Sequence, residues 1–257
     1  ATTPLDPKDA LEMEPCLSPE TIAAFSVADA SIDPFKLSLD NLAQGVALGT
    51  KVMLHHQVVG IDRRAGRVEA VRLRNRNDGT DLHVHADQIV NASGSWASEV
   101  AAMAGARIDM VYSQGSLIVS QMRLGERVIN RLRKASDADI LVPAGTVSIF
   151  GTTSKRIDAP DQCRPTTAEI DAMLLDGIAM IPKLVETRFI RAYAGVRPLV
   201  QSGGGSDDRS VSRGFTLLDH ESDGLDNFIT ITGCKLTPYR LMAEKTANLI
   251  CHRLGKI

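Results

Sequence analysis

The stretch Thr232-Gly233-Cys234-Lys235-Leu236-Thr237-Pro238-Tyr239-Arg240 decides how this chain is read. Before it, Phe228–Thr232 is a short apolar and β-branched run, the pattern of a buried strand. After it, Thr237-Pro238 reads as a helix start, since proline suits the first helical position, and the helix runs to Leu254 with Gly255 beyond. A strand that breaks at glycine and turns into a helix leaves N–H groups at a partly positive end, suited to an anion. Two other segments follow the same logic: Asn91-Ala92-Ser93-Gly94-Ser95 behind a short apolar strand, and the run Arg191–Leu199 around Gly195 and Arg197. In each, Gly or Ser permits close approach of a backbone or a flat ligand. Strand–glycine–helix turns are also common as plain connections, so no one of the three decides a function by itself.

Outward from these segments the chain alternates between strand and helix patterns. Asp33-Pro34 reads as a cap and first turn, with Phe35, Leu39, Leu42 and Val46 at helical spacing and Gly49 as the stop. A strand is predicted over Lys51–Leu54. Val58–Arg63 and Val68–Arg74 join across Ala65-Gly66 as a hairpin, and Asp81–Ala86 extends it to a meander. Trp96, Val100 and Met103 give a helical stripe ending at Gly105. Leu117–Val119, Ile140–Val142, Val147–Phe150, Arg188–Tyr193 and Phe215–Leu218 read as strands. Thr166-x-x-Glu169 is a capping box opening a helix with Ile170, Leu174, Ile178 and Ile181 on one face. The pattern supports an α+β or mixed α/β chain.

Composition excludes several classes. With 257 residues, 44% hydrophobic and 23% charged, the chain can bury a core without staples and is not disordered. Lys+Arg 29 against Asp+Glu 31 leaves a net charge of −2, which argues against non-specific nucleic-acid binding. Cys16, Cys163, Cys234 and Cys251 contain no C-x-x-C pair, so neither a disulfide scaffold nor a zinc or iron–sulfur site is expected, and reduced, cytoplasmic thiols are. No run approaches the ~20 apolar residues of a membrane span. His83 and His85 share one strand face, which reads as an exposed face and not a metal site. The chain lacks an initial Met and a secretion signal, and is expected to be an internal fragment.

Seven strings, among them NASGSWA (91–97), RAYAGVRPLV (191–200), VSRGFTLLDH (211–220) and GCKLTPYRLMAE (233–244), run nearly end to end and carry a family likeness. Through them the chain resembles the FAD-dependent glycerol-3-phosphate dehydrogenases, on the side of the large catalytic subunit of the anaerobic, quinone-linked bacterial enzymes. The resemblance implies a partial FAD-binding domain of glutathione-reductase or amino-acid-oxidase type and an antiparallel-sheet substrate domain. On it, residues 33–105 and 213–257 belong to the FAD domain, 106–212 form the substrate domain, and 1–32 lie with the latter. It implies FAD contacts from Asn91, Ala92, Ser93, Gly94, Trp96, Gly195, Val196, Gly233, Cys234, Leu236 and Thr237. It further implies that Arg197 and Lys235 are catalytic and that, with Arg213, they bind the phosphate of glycerol 3-phosphate. An arginine fork matches a phosphate dianion. Electrons would pass to other subunits of the complex and then to quinone, with the protein peripheral at the inner face of the membrane. Cys234 stands where the family usually has glycine, and Pro238 is also unusual. Gly115-Ser116 is followed by Leu117 where the aerobic branch has a histidine, so the proton-abstracting base is open; His220, among acidic neighbours, is one candidate.

A dinucleotide site of this type needs a strand–G-x-G-x-x-G–helix unit. The sequence has none: Gly203-Gly204-Gly205 precedes no helical stripe, and Gly45 and Gly49 lie in and just past a helix. The 257-residue piece alone is therefore expected to bind FAD weakly or not at all and to be inactive. Two other functions share much of the pattern: a related FAD-dependent amine or amino-acid oxidase, and a non-catalytic docking module for membrane subunits.

Overall fold

The computed structural model describes residues 2–134, 136–200, 214–233 and 235–256. Arg213, Cys234 and the run Gly203-Gly204-Gly205 lie outside the described residues. The chain opens with β1 (Thr2–Leu5), α1 (Pro7–Met13), β2 (Ala24–Val27), α2 (Pro34–Ala47), β3 (His56–Arg64), β4 (Arg67–Asn75) and β5 (Asp81–Val84). Next come β6 (Ile89–Asn91), α3 (Ala97–Met103), β7 (Met110–Ser120), β8 (Ile129–Asn130), β9 (Ile140–Ala144), β10 (Val147–Gly151) and β11 (Lys155–Ile157). It continues through α4 (Thr167–Gly177), β12 (Phe189–Val200), β13 (Phe215–Asp219), β14 (Phe228–Gly233) and α5 (Tyr239–Arg253). The class is mixed α/β with mostly antiparallel sheets, as the patterning predicts.

The chain divides into two compact units. The first comprises Ala1–Ala47, Gln114–Lys155 and Asp161–Gly195; the second comprises Leu48–Ser113, Arg156–Pro160 and Val196–Ile257. These breaks fall at other positions than the sequence divisions at 32/33, 105/106 and 212/213. The break after Ala47 follows α2, a helix with no buried residue.

The first unit is built on strands in the order β7-β10-β9-β8, with β7 entering it at Gln114. Its core joins Ile118, Leu141 and Phe150 of the sheet to Met173 of α4 and to Met180, Ile181 and Leu184 just beyond it. The capping box explains where α4 starts: Thr166 Oγ1 accepts from Glu169 N at 3.3 Å while Glu169 Oε2 accepts from Thr166 N at 3.3 Å. The helix stops at Gly177, where a Cβ would stand 2.4 Å from the Phe150 ring. Ile178 and Ile181 thus follow the helix and do not extend its face.

The second unit contains the meander β3-β4-β5 and a three-stranded sheet in the order β13-β14-β6. Ala65 (φ 47°) and Gly66 (φ 77°) supply the two left-handed residues that a tight hairpin turn requires. The core here brings Ile61 and Val68 of the meander to Ala101 and Ala104 by α3 and to Leu225 and Phe228 at the start of β14. Asn227, 1% exposed, fastens the two sheets. Its Oδ1 accepts from Val68 N at 2.8 Å and its Nδ2 donates to Val68 O at 2.9 Å.

Three local expectations are corrected. Lys51–Leu54 forms no strand: among the described residues no strand pairs with it, and Val52, Met53 and Leu54 remain 41%, 42% and 68% exposed. Pro238 is the N-cap of α5 and not its first residue, and no side chain caps that end. β7 and β12 run to 11 and 12 residues, because pairing continues them past the apolar runs that marked them.

Candidate functional site

The mixed sheet of the second unit brings two of the glycine turns together. β6 and β14 are parallel, with Phe228 opposite Ile89 and Thr230 opposite Asn91. Their carboxyl ends therefore open on the same side, where β6 turns into Ala92–Trp96 and β14 turns toward Lys235 and α5. Ligands of open α/β sheets gather outside the carboxyl ends of parallel strands, because helix starts and loop N–H groups converge there.

The orientation of α5 follows from its far end. Arg253, in the last turn, pairs with Asp219 at the end of β13 and donates to Gln88 Oε1, just before β6, at 3.2 Å. Both partners lie at the opposite end of the strands from the turns, because β13 is antiparallel to β14 and Gln88 precedes β6. The helix thus runs back along the sheet and leaves its uncapped start near the carboxyl ends, with the positive end of its dipole there.

Hydrogen bonds hold the turns. Asn91, 4% exposed, donates from Nδ2 to Ala97 O at 2.8 Å and to Thr230 Oγ1 at 3.2 Å. Its Oδ1 accepts from Ser93 Oγ at 2.6 Å and Ser93 N at 3.3 Å. Gly94 adopts φ 60°, and a Cβ there would meet nothing within 4 Å, so backbone conformation and not crowding calls for glycine. Thr232 Oγ1 reaches Gly94 O at 3.5 Å, joining the ends of β14 and β6. Ser95 Oγ donates to Val196 O at 3.3 Å, which ties the third glycine segment to the same turn.

The expected site residues sort accordingly. Asn91, Ala92, Ser93, Gly94, Trp96, Val196, Gly233, Lys235, Leu236 and Thr237 all belong to the second unit, with Lys235 and Thr237 exposed and Trp96 half-exposed. Arg197, half-buried, lies in the same unit next to Val196. Gly195 closes the first unit. Gly233 has a packing role of its own: a Cβ there would stand 2.9 Å from Phe215 Cα and 3.1 Å from Gly214 O.

His220 does not face the turns as a base. It is 2% exposed, packs against Phe228 with ring centroids 5.2 Å apart, and has both ring nitrogens engaged. Nδ1 bonds Asp223 Oδ2 at 2.7 Å and Nε2 bonds Thr230 Oγ1 at 2.9 Å. Thr230 itself escaped the sequence reading, although its alternation with Ile229 and Ile231 in β14 marks it as polar on a buried strand. His85 Nδ1 bonds Glu69 O at 2.7 Å on an exposed face, and no group able to hold a metal occurs among the described residues.

A hollow of about 350 Å³ in the first unit contains none of these residues. Asp137, Glu169, Asp176 and Lys155 line it, a set with excess carboxylate that does not suit a phosphate ester.

The family model described as FAD dependent oxidoreductase (DAO) matches residues 1–249. One subunit of the anaerobic glycerol-3-phosphate dehydrogenase of Escherichia coli K12 is 46% identical over 98% of this chain and 47% of its own length. Its counterpart in the enzyme of the same name from Haloferax volcanii is 35% identical over 98% of this chain and 45% of its own. The chain thus spans about half the length of the curated relatives it matches. Among solved structures, glycerol-3-phosphate dehydrogenase from Bacillus halodurans complexed with FAD aligns with TM-score 0.79 at 24% identity, over 99% of this chain and 51% of that one. A glycine oxidase from Bacillus cereus aligns with TM-score 0.72 at 18% identity, over 99% and 66%, a likeness of fold alone. With a strand–turn–helix sheet end of this construction and a family match over nearly its whole length, the chain belongs to the FAD dependent oxidoreductase (DAO) family.

Proposed function

We propose that the intact protein oxidises sn-glycerol 3-phosphate to dihydroxyacetone phosphate with FAD and passes the electrons through partner subunits to a quinone. The observation that supports it most is the near end-to-end similarity to the anaerobic glycerol-3-phosphate dehydrogenase of Escherichia coli. FAD, when bound, would supply the hydride acceptor for the substrate's C2.

The residues of the second unit suit one wall of such a site. Gly94 presents open space, the start of α5 carries no side-chain cap, and Trp96 is half-exposed beside them. In this reading Asn91–Gly94, Trp96, Val196, Gly233, Cys234, Leu236 and Thr237 line the cofactor, with Gly195 next in the chain. Lys235 and the uncapped start of α5 would hold the flavin ring with positive charge, which favours electron uptake by it. Arg197 and Arg213 hold the phosphate, and the fixed guanidinium fork orients the ester for reaction. Residues 33–105 and 213–257 serve the cofactor, 106–212 the substrate, and 1–32 accompany the latter. Without a Gly-x-Gly-x-x-Gly turn, this stretch supplies no cradle for the pyrophosphate.

No helix among the described residues is long and apolar enough to cross a membrane. Attachment at the inner face of the membrane is assigned to partner subunits because the Escherichia coli relative is one subunit of its enzyme. The test uses the purified full-length protein under anaerobic conditions. Glycerol 3-phosphate is expected to bleach the flavin absorbance, while glycine and other amino acids leave it unchanged. Bleaching by an amino acid alone assigns it to the oxidase branch; a full-length protein without flavin favours a docking role.

A further inference from the structure

We infer that His220 is a positioning residue: fixed in one tautomer by Asp223, it acts through Thr230 and Asn91 to orient the Ser93 hydroxyl at the cofactor turn. The inference rests on the proposal that this turn contacts FAD. It follows the direction of protons along one line of side chains, all within the second unit.

The Asp223 carboxylate can only accept, so His220 Nδ1 carries the proton in the 2.7 Å bond between them. Thr230 Oγ1 receives the Asn91 amide at 3.2 Å, so its own proton goes to the lone pair of His220 Nε2 at 2.9 Å. Ala97 O demands the same orientation of the amide at 2.8 Å. Asn91 Oδ1 must therefore face Ser93, whose hydroxyl donates to it at 2.6 Å. Ser93 Oγ is left with acceptor capacity only, matched to a donor such as a ribityl or ribose hydroxyl.

The line is dry: Asn91, Thr230 and His220 are 4%, 0% and 2% exposed. Each alternative proton arrangement leaves a donor or acceptor unmatched where water cannot replace it. Polar side chains at a place where apolar ones would pack equally well specify one arrangement of the turn above them.

The test is a double-mutant cycle in the full-length protein, read as the equilibrium FAD dissociation constant from flavin fluorescence. Thr230→Val keeps the shape and removes the hydroxyl. It is expected to weaken FAD about tenfold, as is Ser93→Ala, while Thr230→Ser stays within about twofold of wild type. The double variant Thr230→Val/Ser93→Ala should be no weaker than either single one, because both remove the same contact. Nitrogen-15 shifts of the His220 ring should report the Nδ1–H tautomer. Should Thr230→Val fail to fold, His220→Leu enters the same cycle: loss of the Nε2 acceptor is expected to weaken FAD about tenfold with no further loss on adding Ser93→Ala, while His220→Gln, whose amide oxygen takes the place of Nε2, stays within about twofold of wild type. Additive effects, loss with Thr230→Ser equal to that with Thr230→Val, or an Nε2–H tautomer overturn the inference. If Ser93→Ala leaves FAD binding unchanged, the placement of FAD at this turn fails, and the inference with it. If Ser93→Ala weakens binding and Thr230→Val does not, the inference alone fails.

Discussion

Thr166 and Glu169 hold each other from both directions: the Thr166 hydroxyl donates to Glu169 Oε2 at 3.0 Å and accepts from the Glu169 N–H at 3.3 Å. The same carboxylate takes Gln114 Nε2 at 3.1 Å, Ser116 Oγ at 3.1 Å and Thr153 Oγ1 at 3.2 Å. Burial alone raises its pKa, but the donors from Thr166, Ser116 and Gln114 outweigh burial and hold it below the ordinary value. A depressed folded pKa makes this contribution complete above the unfolded value near ~4.3 and lost as pH falls through the folded one. Glu169→Ala should cost about 2 kcal/mol or more at neutral pH, since several donors lose their acceptor. Urea titrations over the acid range should show a steeper loss of midpoint for wild type than for Glu169→Gln.

Cys16 should resist alkylation in the native protein. Burial, followed by the nearby Glu14 charge, pushes its thiol up to about 11, so little thiolate exists at neutral pH. Iodoacetamide mapping by mass spectrometry is expected to label Cys251 before Cys16, with Cys16 modified only after denaturant is added. Rapid native labelling of Cys16 contradicts its buried placement.

Two glycines should respond oppositely to alanine. At Gly233 the new methyl would meet the Phe215 and Gly214 backbone at 2.9 and 3.1 Å, and a strand pair cannot yield without losing register. Gly233→Ala is expected to cost about 1–3 kcal/mol. At Gly195 the methyl meets nothing within 4 Å, so Gly195→Ala should change stability by less than about 0.5 kcal/mol. Denaturant midpoints of the two variants check the contrast.

The stripe on α2 remains open to solvent, with Phe35, Leu39, Leu42 and Val46 at 80%, 65%, 48% and 53% exposure. An apolar face of this kind drives association in water. Phe35→Glu/Leu39→Glu should reduce self-association of the 257-residue chain in light scattering while moving its unfolding midpoint little, because neither side chain is buried. Undiminished association would place the sticky surface elsewhere.

Where local chemistry dictates an element, the sequence was sufficient to read it. The Asp33 cap, which accepts from Phe35 N at 2.9 Å, the Ala65-Gly66 turn and the Thr166–Glu169 box each depend on residues a few positions apart. Lys51–Leu54 shows the limit, because an apolar run becomes a strand only if another edge is there to accept its hydrogen bonds. His220 shows it for the site: acidic neighbours in sequence pointed toward acid–base chemistry, whereas its decisive partner is Thr230, ten residues on and one strand away.

The sequence by itself determined helices α2 to α5, the glycine turns and the family, since these depend on short-range patterns and on strings of residues read in order. Only the tertiary structure decided that β6 and β14 are parallel neighbours, that α5 lies with its start at their carboxyl ends, and that the histidine is buried. The reason is that strand pairing and burial join residues more than a hundred positions apart, such as Asn91 with Thr230. Hydrogen-bond complementarity between such residues leaves no periodic trace in the chain that carries them.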